Sequence, residues 1–271
     1  GATITFQDTL NSTGAGVETL GLNSGTAGNI DFDGIVGGGT RLGALTITNA
    51  NNVTADFAVT TASITQTAGQ GTTTFTGAVN TNAVGGIDLN GAIFTISNTV
   101  TTTTGGPVTI TNSGLLTIAA AGDFTLDGLF LQDGAGTTTT SGDIVTTDDN
   151  ITFTTAVTLG AAVDIDTTGV AAGNILFGST IATGGNNLTL DGGPAGNMTI
   201  SSAVTGGGDM TVRDGAVQAY NALALNLLDI QDATTSVTLG GAVAATTTID
   251  IDSSGGSIIQ NGAITSGTNV D

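Results

Sequence analysis

Asp148 and Asp149 form the one adjacent acidic pair in this chain of 271 residues. Two neighbouring carboxylates are what a glycoside hydrolase needs to divide general acid from base or nucleophile. Three further pairs have the form Asp-x-Asp: Asp31/Asp33, Asp164/Asp166 and Asp250/Asp252. On an extended strand each pair shares one face, with its carboxylates about 7 Å apart. Calcium tolerates irregular oxygen ligation and could bridge such a pair. Thr3/Thr5, Thr46/Thr48 and Thr152/Thr154 repeat a Thr-x-Thr spacing that would suit a crystalline lattice such as ice if it recurred regularly along a flat face.

Each of these signals has a plainer reading, and the plainer reading is favoured. The chain has no His and no Cys, which excludes His-based triads, thiol nucleophiles and His- or Cys-ligated metals. Polygalacturonases with parallel β-helices carry Gly-His-Gly and Arg-x-Lys elements beside their aspartates, and neither is present. Asp148-Asp149 therefore reads as a solvated turn before the strand at Ile151. The calcium-binding nonapeptide Gly-Gly-x-Gly-x-Asp is also absent, so the Asp-x-Asp pairs read first as solvated charge. Threonine gives way to Asp or Ser in other units, which breaks the regularity that ice binding requires. No catalytic residue, metal ligand or cofactor is assigned, and the chain is not expected to be an enzyme.

Composition narrows the class. Lys and Arg together number 2 against 22 acidic residues, for a net charge of −20. Such a surface has little with which to neutralise phosphates, so nucleic acid and anionic lipid are unsuitable partners. No run is apolar enough to span a membrane as a helix. Thr makes up about one residue in five, Gly numbers 44 and aromatics are 4%, a balance suited to thin stacked strands rather than helices. The chain starts at Gly1 rather than Met, and is read as a processed or excised part of a longer secreted polypeptide.

The elements that position these residues are visible as a repeat. Val163-Asp164-Ile165, Leu188-Thr189-Leu190 and Met210-Thr211-Val212 are three versions of one short strand. Ile175 to Gly178 and Met198 to Ser201 are two versions of a second strand, each introduced by Ala-Gly-Asn (172–174 and 195–197). The period is about 23 residues, the signature of a solenoid. A strand-plus-Gly unit recurs at Ile30 to Val36, Thr73 to Val79, Ile87 to Ile93, Phe124 to Phe130, Val237 to Val243 and Ile258 to Ile264. At Ile151 to Val157, Thr155 takes the place of the glycine. Apolar and polar residues alternate, so Thr, Asp, Asn and Ser are expected outside, while Phe6, Phe32, Phe75, Phe124, Phe153 and Phe177 fall in the inward phase. Gly-Asn and Gly-Asp dipeptides mark corners, read as positions of positive φ. The segment from Ala216 to Ser236 has no Gly, and its run Ala222 to Leu228 fits one or two strands or a short helix; strands are favoured, because Leu223, Leu225 and Leu227 alternate. If Val163, Leu188 and Met210 share a column, then Asp166, Asp191 and Arg213 share another, setting Arg213 beside Asp191.

The runs GNIDFDGIVGGGTRLGALTITNANNVTADFAV and GNILFGSTIATGGNNLTLDGGPAGNMTISSAV resemble the repeat bodies of large bacterial surface proteins of the filamentous-haemagglutinin and β-strand-repeat type. The resemblance implies a right-handed parallel β-helix exported to the cell surface as an adhesin, stalk or sheath component. The expected fold is all-β, a parallel β-solenoid with coils of about 20–25 residues and roughly a dozen coils, forming one domain over 1–271. The expected function is structural, in an extracellular or cell-surface fibre, stalk, sheath or layer. The alternative is an adhesin shaft or glycan-binding module, which aromatics clustered on one exposed face would favour. Ala2 to Phe6 at one end and Ser257 to Thr265 at the other are uncapped repeat strands, which implies continuation or end-to-end self-association.

Overall fold

The structure, a computed structural model, describes residues 1–167 and 173–271. The fold is all-β, and parallel strands stack as a β-solenoid of about 12 turns in all, with no helix among the described residues. Two compact units divide the chain, Gly1–Thr137 and Thr138–Asp271. In each unit most turns are built from three short strands, one on each of three faces, and strands within the stack pair in parallel with their counterparts in the turns before and after; at Leu10 and Val36 the second face is held by single bridges.

In the first unit, the first face runs through Ile4–Phe6, Ile30–Phe32, Val53–Ala55, Thr72–Phe75, Ile93–Ile96 and Leu116–Ile118. The second face takes Val79–Thr81, Val100–Thr102 and Phe124–Leu126. The third takes Leu20–Asn23, Leu42–Asn49, Ile87–Gly91, Val108–Asn112 and Phe130–Asp133. The longer strand Val59–Gln66 serves both, pairing with Val79–Thr81 on the second face and with Ile87–Gly91 on the third.

In the second unit, Thr138–Thr140, Val157–Leu159, Ile181–Ala182, Val204–Thr205, Leu223–Leu225, Val243–Ala245 and Ile264–Ser266 make the first face. The second holds Ile144–Thr146, Val163–Asp166, Leu188–Asp191, Met210–Val212, Leu228–Ile230, Thr248–Ile251 and Asn269–Val270. The third holds Ile151–Phe153, Ile175–Phe177, Met198–Ile200, Val217–Tyr220, Ser236–Leu239 and Ser257–Gln260. Ala216 to Ser236 is thus ordinary wall, as its alternation suggested.

Because strands alternate, each turn sends about half of its residues inward, where they stack on like residues of the next turn. Val163, Leu188 and Met210 do form one column, continued by Leu228 and Ile249. Phe32, Phe75, Phe124, Phe153 and Phe177 are buried, and Phe6 is half-buried. Phe6 stacks on Phe32 at 5.2 Å and Phe153 on Phe177 at 5.1 Å, nearly parallel in both cases, and Phe124 meets Phe130 edge-on at 5.3 Å. Such pairs add to what area burial alone provides.

Four readings need correction. The strand-plus-Gly unit is not one strand: Ile30–Phe32 belongs to the first face and Val36 to the second, with Gly34 at the bend between them. Likewise Phe75 and Val79 lie on two faces, separated by Gly77.

The glycines of the Gly-Asn and Gly-Asp corners are needed for space rather than for positive φ. Gly28, Gly122, Gly173 and Gly196 are absent from the residues with positive φ. A Cβ on Gly122 would stand 2.8 Å from the carbonyl oxygen of Ile96 in the turn before, and Gly28, Gly173 and Gly196 are as crowded by backbone. Ala172, which opens one Ala-Gly-Asn tripeptide, lies outside the described residues.

Threonine is not confined to the outside. Thr61, Thr81, Thr102, Thr140, Thr146, Thr167 and Thr183 are buried, and several cap corner carbonyls. Thr102 Oγ1 donates to Gly106 O at 2.5 Å, Thr140 to Gly142 O at 2.8 Å and Thr167 to Gly173 O at 2.9 Å. Finally, Leu227 does not continue the inward alternation of Leu223 and Leu225. The chain turns there, and Leu228 takes the buried place.

Candidate functional site: the acidic wall and the ladders at its corners

The outward residues of the second face in the second unit make an acidic stripe. Asp166 lies alongside Asp191, and Asp229 alongside Asp250. Asp143 reaches Asp164 through its Oδ1, which accepts the Asp164 backbone N–H at 2.8 Å. Arg213 is the cation in this stripe. Its backbone N–H donates to Leu190 O at 2.9 Å, so it does lie alongside Asp191 as expected.

The partner of its guanidinium is a different residue. Nη1 donates to Asp164 Oδ2 at 2.9 Å, one turn further away. The intervening position in the Asp164 column is Thr189, too short to block the reach, and Asp191 Oδ1 is already engaged by Gly193 N–H at 3.1 Å. The pair is exposed enough (46% and 31%) that its worth is modest. Arg213→Gln is expected to lower stability by about 0.2–1 kcal/mol, more at low salt than at high, as read by denaturant unfolding at two ionic strengths. An equal loss at both would remove the electrostatic account.

The other candidates are dispersed. Asp148 has φ 65° and marks the corner before Ile151–Phe153, where Thr146 Oγ1 donates to Asp149 O at 2.5 Å. Asp31 lies on the first-face strand Ile30–Phe32, with Asp33 just past its end beside Asp56, and Asp250 lies on the second-face strand Thr248–Ile251 of the second unit, with Asp252 just past its end. Among the described residues, no three His, Cys, Asp or Glu side chains converge as metal ligands. The three Thr-x-Thr pairs do not share one face: Thr5 is on the first, while Thr46 and Thr152 are on the third.

What the sequence reading missed is a set of asparagine ladders. Asn150 Oδ1 accepts the backbone N–H of Asn174 at 2.8 Å, Asn174 Oδ1 accepts that of Asn197 at 2.9 Å, and Asn197 Oδ1 accepts that of Val217 at 3.3 Å. In the first unit, Asn29 Oδ1 accepts from Asn52 N–H at 3.2 Å and Asn52 Oδ1 from Thr72 N–H at 2.8 Å. Each ladder satisfies backbone donors at a corner, where strand pairing has stopped. Polar pairs inside the wall act similarly: Gln132 Nε2 donates to Asn112 Oδ1 at 2.7 Å, and Thr73 Oγ1 to Gln66 Oε1 at 2.8 Å. The signal was available in part, as Asn29, Asn174 and Asn197 each directly after Gly, whereas Asn52 follows Asn51 and Asn150 follows Asp149.

Glu18, the only glutamate, sits in a loop cradle. Its carboxylate accepts hydrogen bonds from the hydroxyls of Ser12 and Thr13 and, at 3.1 Å, from the Thr13 backbone N–H. These bonds, Ser12's first, hold its pKa down to about 2 from an ordinary 4.5. A lowered folded pKa means that this contribution is present above pH 4.5 and lost as the pH falls towards 2.

Asp31, Asp164, Asp191 and Asp214 shift the other way, chiefly through burial. Their folded forms hold the proton more tightly, so their contribution is present below the ordinary 3.8 and lost as the pH rises through their folded values. The melting temperature is therefore expected to rise as the pH is lowered through the folded values of these aspartates towards 3.8, and to fall below 3.8 as Glu18 takes up its proton towards pH 2. Glu18→Gln should flatten the acid fall and speed amide exchange at Gly43, whose N–H bonds to Glu18 O. An unchanged acid limb in Glu18→Gln would exclude the cradle as its cause.

Comparison with protein-family models, with curated proteins and with solved structures finds no match.

Proposed function

We propose that the chain is a structural β-solenoid element of an extracellular or cell-surface fibre, stalk, sheath or layer. The observation that carries this reading is where its polar groups are engaged: corner asparagines, inward threonines and buried glutamines bond mainly to neighbouring turns or their own corners. Both arginines likewise tie turns together. Arg41 Nη1 donates to Thr61 O at 2.6 Å and to Asn80 O at 3.0 Å, joining three successive turns. Chemistry arranged in this way yields stiffness along the stacking direction. The resemblance of the repeats to filamentous-haemagglutinin-type proteins supports export and a surface location, and the net charge of −20 disfavours lateral clumping.

Growth along the stack is part of the proposal. Ile4–Phe6 pairs only with Ile30–Phe32, and Ile264–Ser266 only with Val243–Ala245, among the described residues. Ile258 and Val270 are 50% and 56% exposed although they stand in inward columns. Further turns would cover these edges, whether they belong to a longer polypeptide or to a second copy adding its first strand. A joint of that kind does not close on itself and gives a filament.

Light scattering and electron microscopy of residues 1–271 test this. Concentration-dependent linear polymers that shorten when Ala2 to Phe6 is deleted are expected. A concentration-independent monomer with both terminal turns ordered would overturn self-association, and isolated molecules in the native material would overturn the structural role.

A further inference from the structure

Phe57 departs from the pattern of the other phenylalanines. It is 52% exposed, whereas Phe32, Phe75, Phe94, Phe124, Phe130, Phe153 and Phe177 are at most 4% exposed. It sits at the corner between the first and second faces of the first unit. The register of Ala55 with Phe32 and with Phe75, and of Val59 with Val36 and Val79, sets Phe57 level with Gly34 in the turn before and Gly77 in the turn after. Neither neighbour has a side chain to cover the ring along the stack. Ile35, 38% exposed, extends the apolar surface one residue further on.

The rim of this spot is anionic. Asp56 precedes Phe57, and its backbone N–H donates to Phe32 O at 3.1 Å, setting Asp56 alongside Asp33. Asp33 N–H bonds Phe6 O at 2.9 Å in the same manner, bringing it level with Gln7 and next to Asp8. Asp31 feels both Asp33 and Asp56 as like charges. Both of the chain's cations are engaged elsewhere, Arg41 with Thr61 and Asn80, and Arg213 with Asp164. An exposed aromatic face bordered by carboxylates without a local counter-charge is complementary to an apolar-stemmed cation, which the ring quadrupole and the carboxylates attract together.

We propose that the Phe57 corner, with Asp33 and Asp56, is a docking point for an arginine- or lysine-bearing segment of a partner polypeptide. The inference is independent of whether the chain builds a filament, since it concerns a lateral corner rather than the edges of the stack.

The test is an NMR titration with a tetra-arginine peptide at physiological salt, where long-range attraction to the overall charge is screened. A saturable shift of the Phe57 ring signals is expected. Phe57→Ala leaves the net charge untouched and should weaken the affinity about two- to fivefold, the loss of one exposed cation–π contact. The double variant Asp33→Asn/Asp56→Asn should weaken it further, while Asp229→Asn/Asp250→Asn, with the same change in charge, should not. Equal binding by wild type and Phe57→Ala would reduce the effect to overall charge and overturn the proposal, as would absence of binding. Perturbation of Phe57 by neutral oligosaccharides but not by the peptide would assign the corner to sugars and equally overturn it.

Discussion

Phe153→Ala is expected to destabilise the second unit by about 3–5 kcal/mol, the range for a fully buried phenylalanine whose neighbours cannot close the void. Phe153 is inaccessible to solvent and stacks nearly parallel on Phe177 at 5.1 Å. The wall around it is pinned by backbone ladders, so relaxation into the space is restricted. A solenoid is stabilised by nearest-neighbour interfaces, so the loss should concentrate in the turns holding Phe153 and Phe177 rather than spread through the chain. Hydrogen exchange should show those turns opening first, with denaturant unfolding giving the magnitude. A loss below about 1 kcal/mol would mean that the stack collapses onto the void, and that the wall is softer than its ladders suggest.

Gly77→Ala is expected to be nearly as damaging although it adds only a methyl group. A Cβ there would overlap the carbonyl of Phe57 and stand 2.5 Å from the amide nitrogen of Ala58. The obstruction is backbone of the adjacent turn, which cannot rotate away as a side chain could. Overpacking of this kind typically costs about 1–3 kcal/mol, and more where the backbone is fixed on both sides. Gly21→Ala is the control, because a Cβ at Gly21 meets nothing within 4 Å. If thermal melting shows the two variants equally stable, the spacing of turns at this corner is looser than described.

These two sites also mark what was legible in the sequence. Inward phase was readable, since period-two alternation leaves few options for a Phe flanked by Thr and Asp. The bends were not, because most of them preserve parity. Phe32 and Val36, Phe75 and Val79, and Phe153 and Val157 are each four residues apart, so alternation runs on through the corner as if the strand were straight. Where the step is odd, as from Leu225 to Leu228, a straight reading chooses the wrong leucine. Of the ladder asparagines only Asn29, Asn174 and Asn197 stand in Gly-Asn corners, and a local backbone rule does not reach their purpose, because their partners lie a whole turn away. Arg213 was set in the right register with the wrong partner because side-chain reach, unlike register, does not follow from spacing.

The ladder bonds join residues 20, 23 and 24 positions apart in sequence. Turn length therefore varies while the columns inside stay aligned, and the slack is taken up at the corners. A gene encoding such a wall can gain or lose a few codons at a corner and still specify the same stack of strands. Its reading frame is disciplined by parity and by the inward columns, not by a fixed count. Length at the corners is thus the cheapest place for such a protein to vary, and loops grafted there would decorate the surface without disturbing the wall.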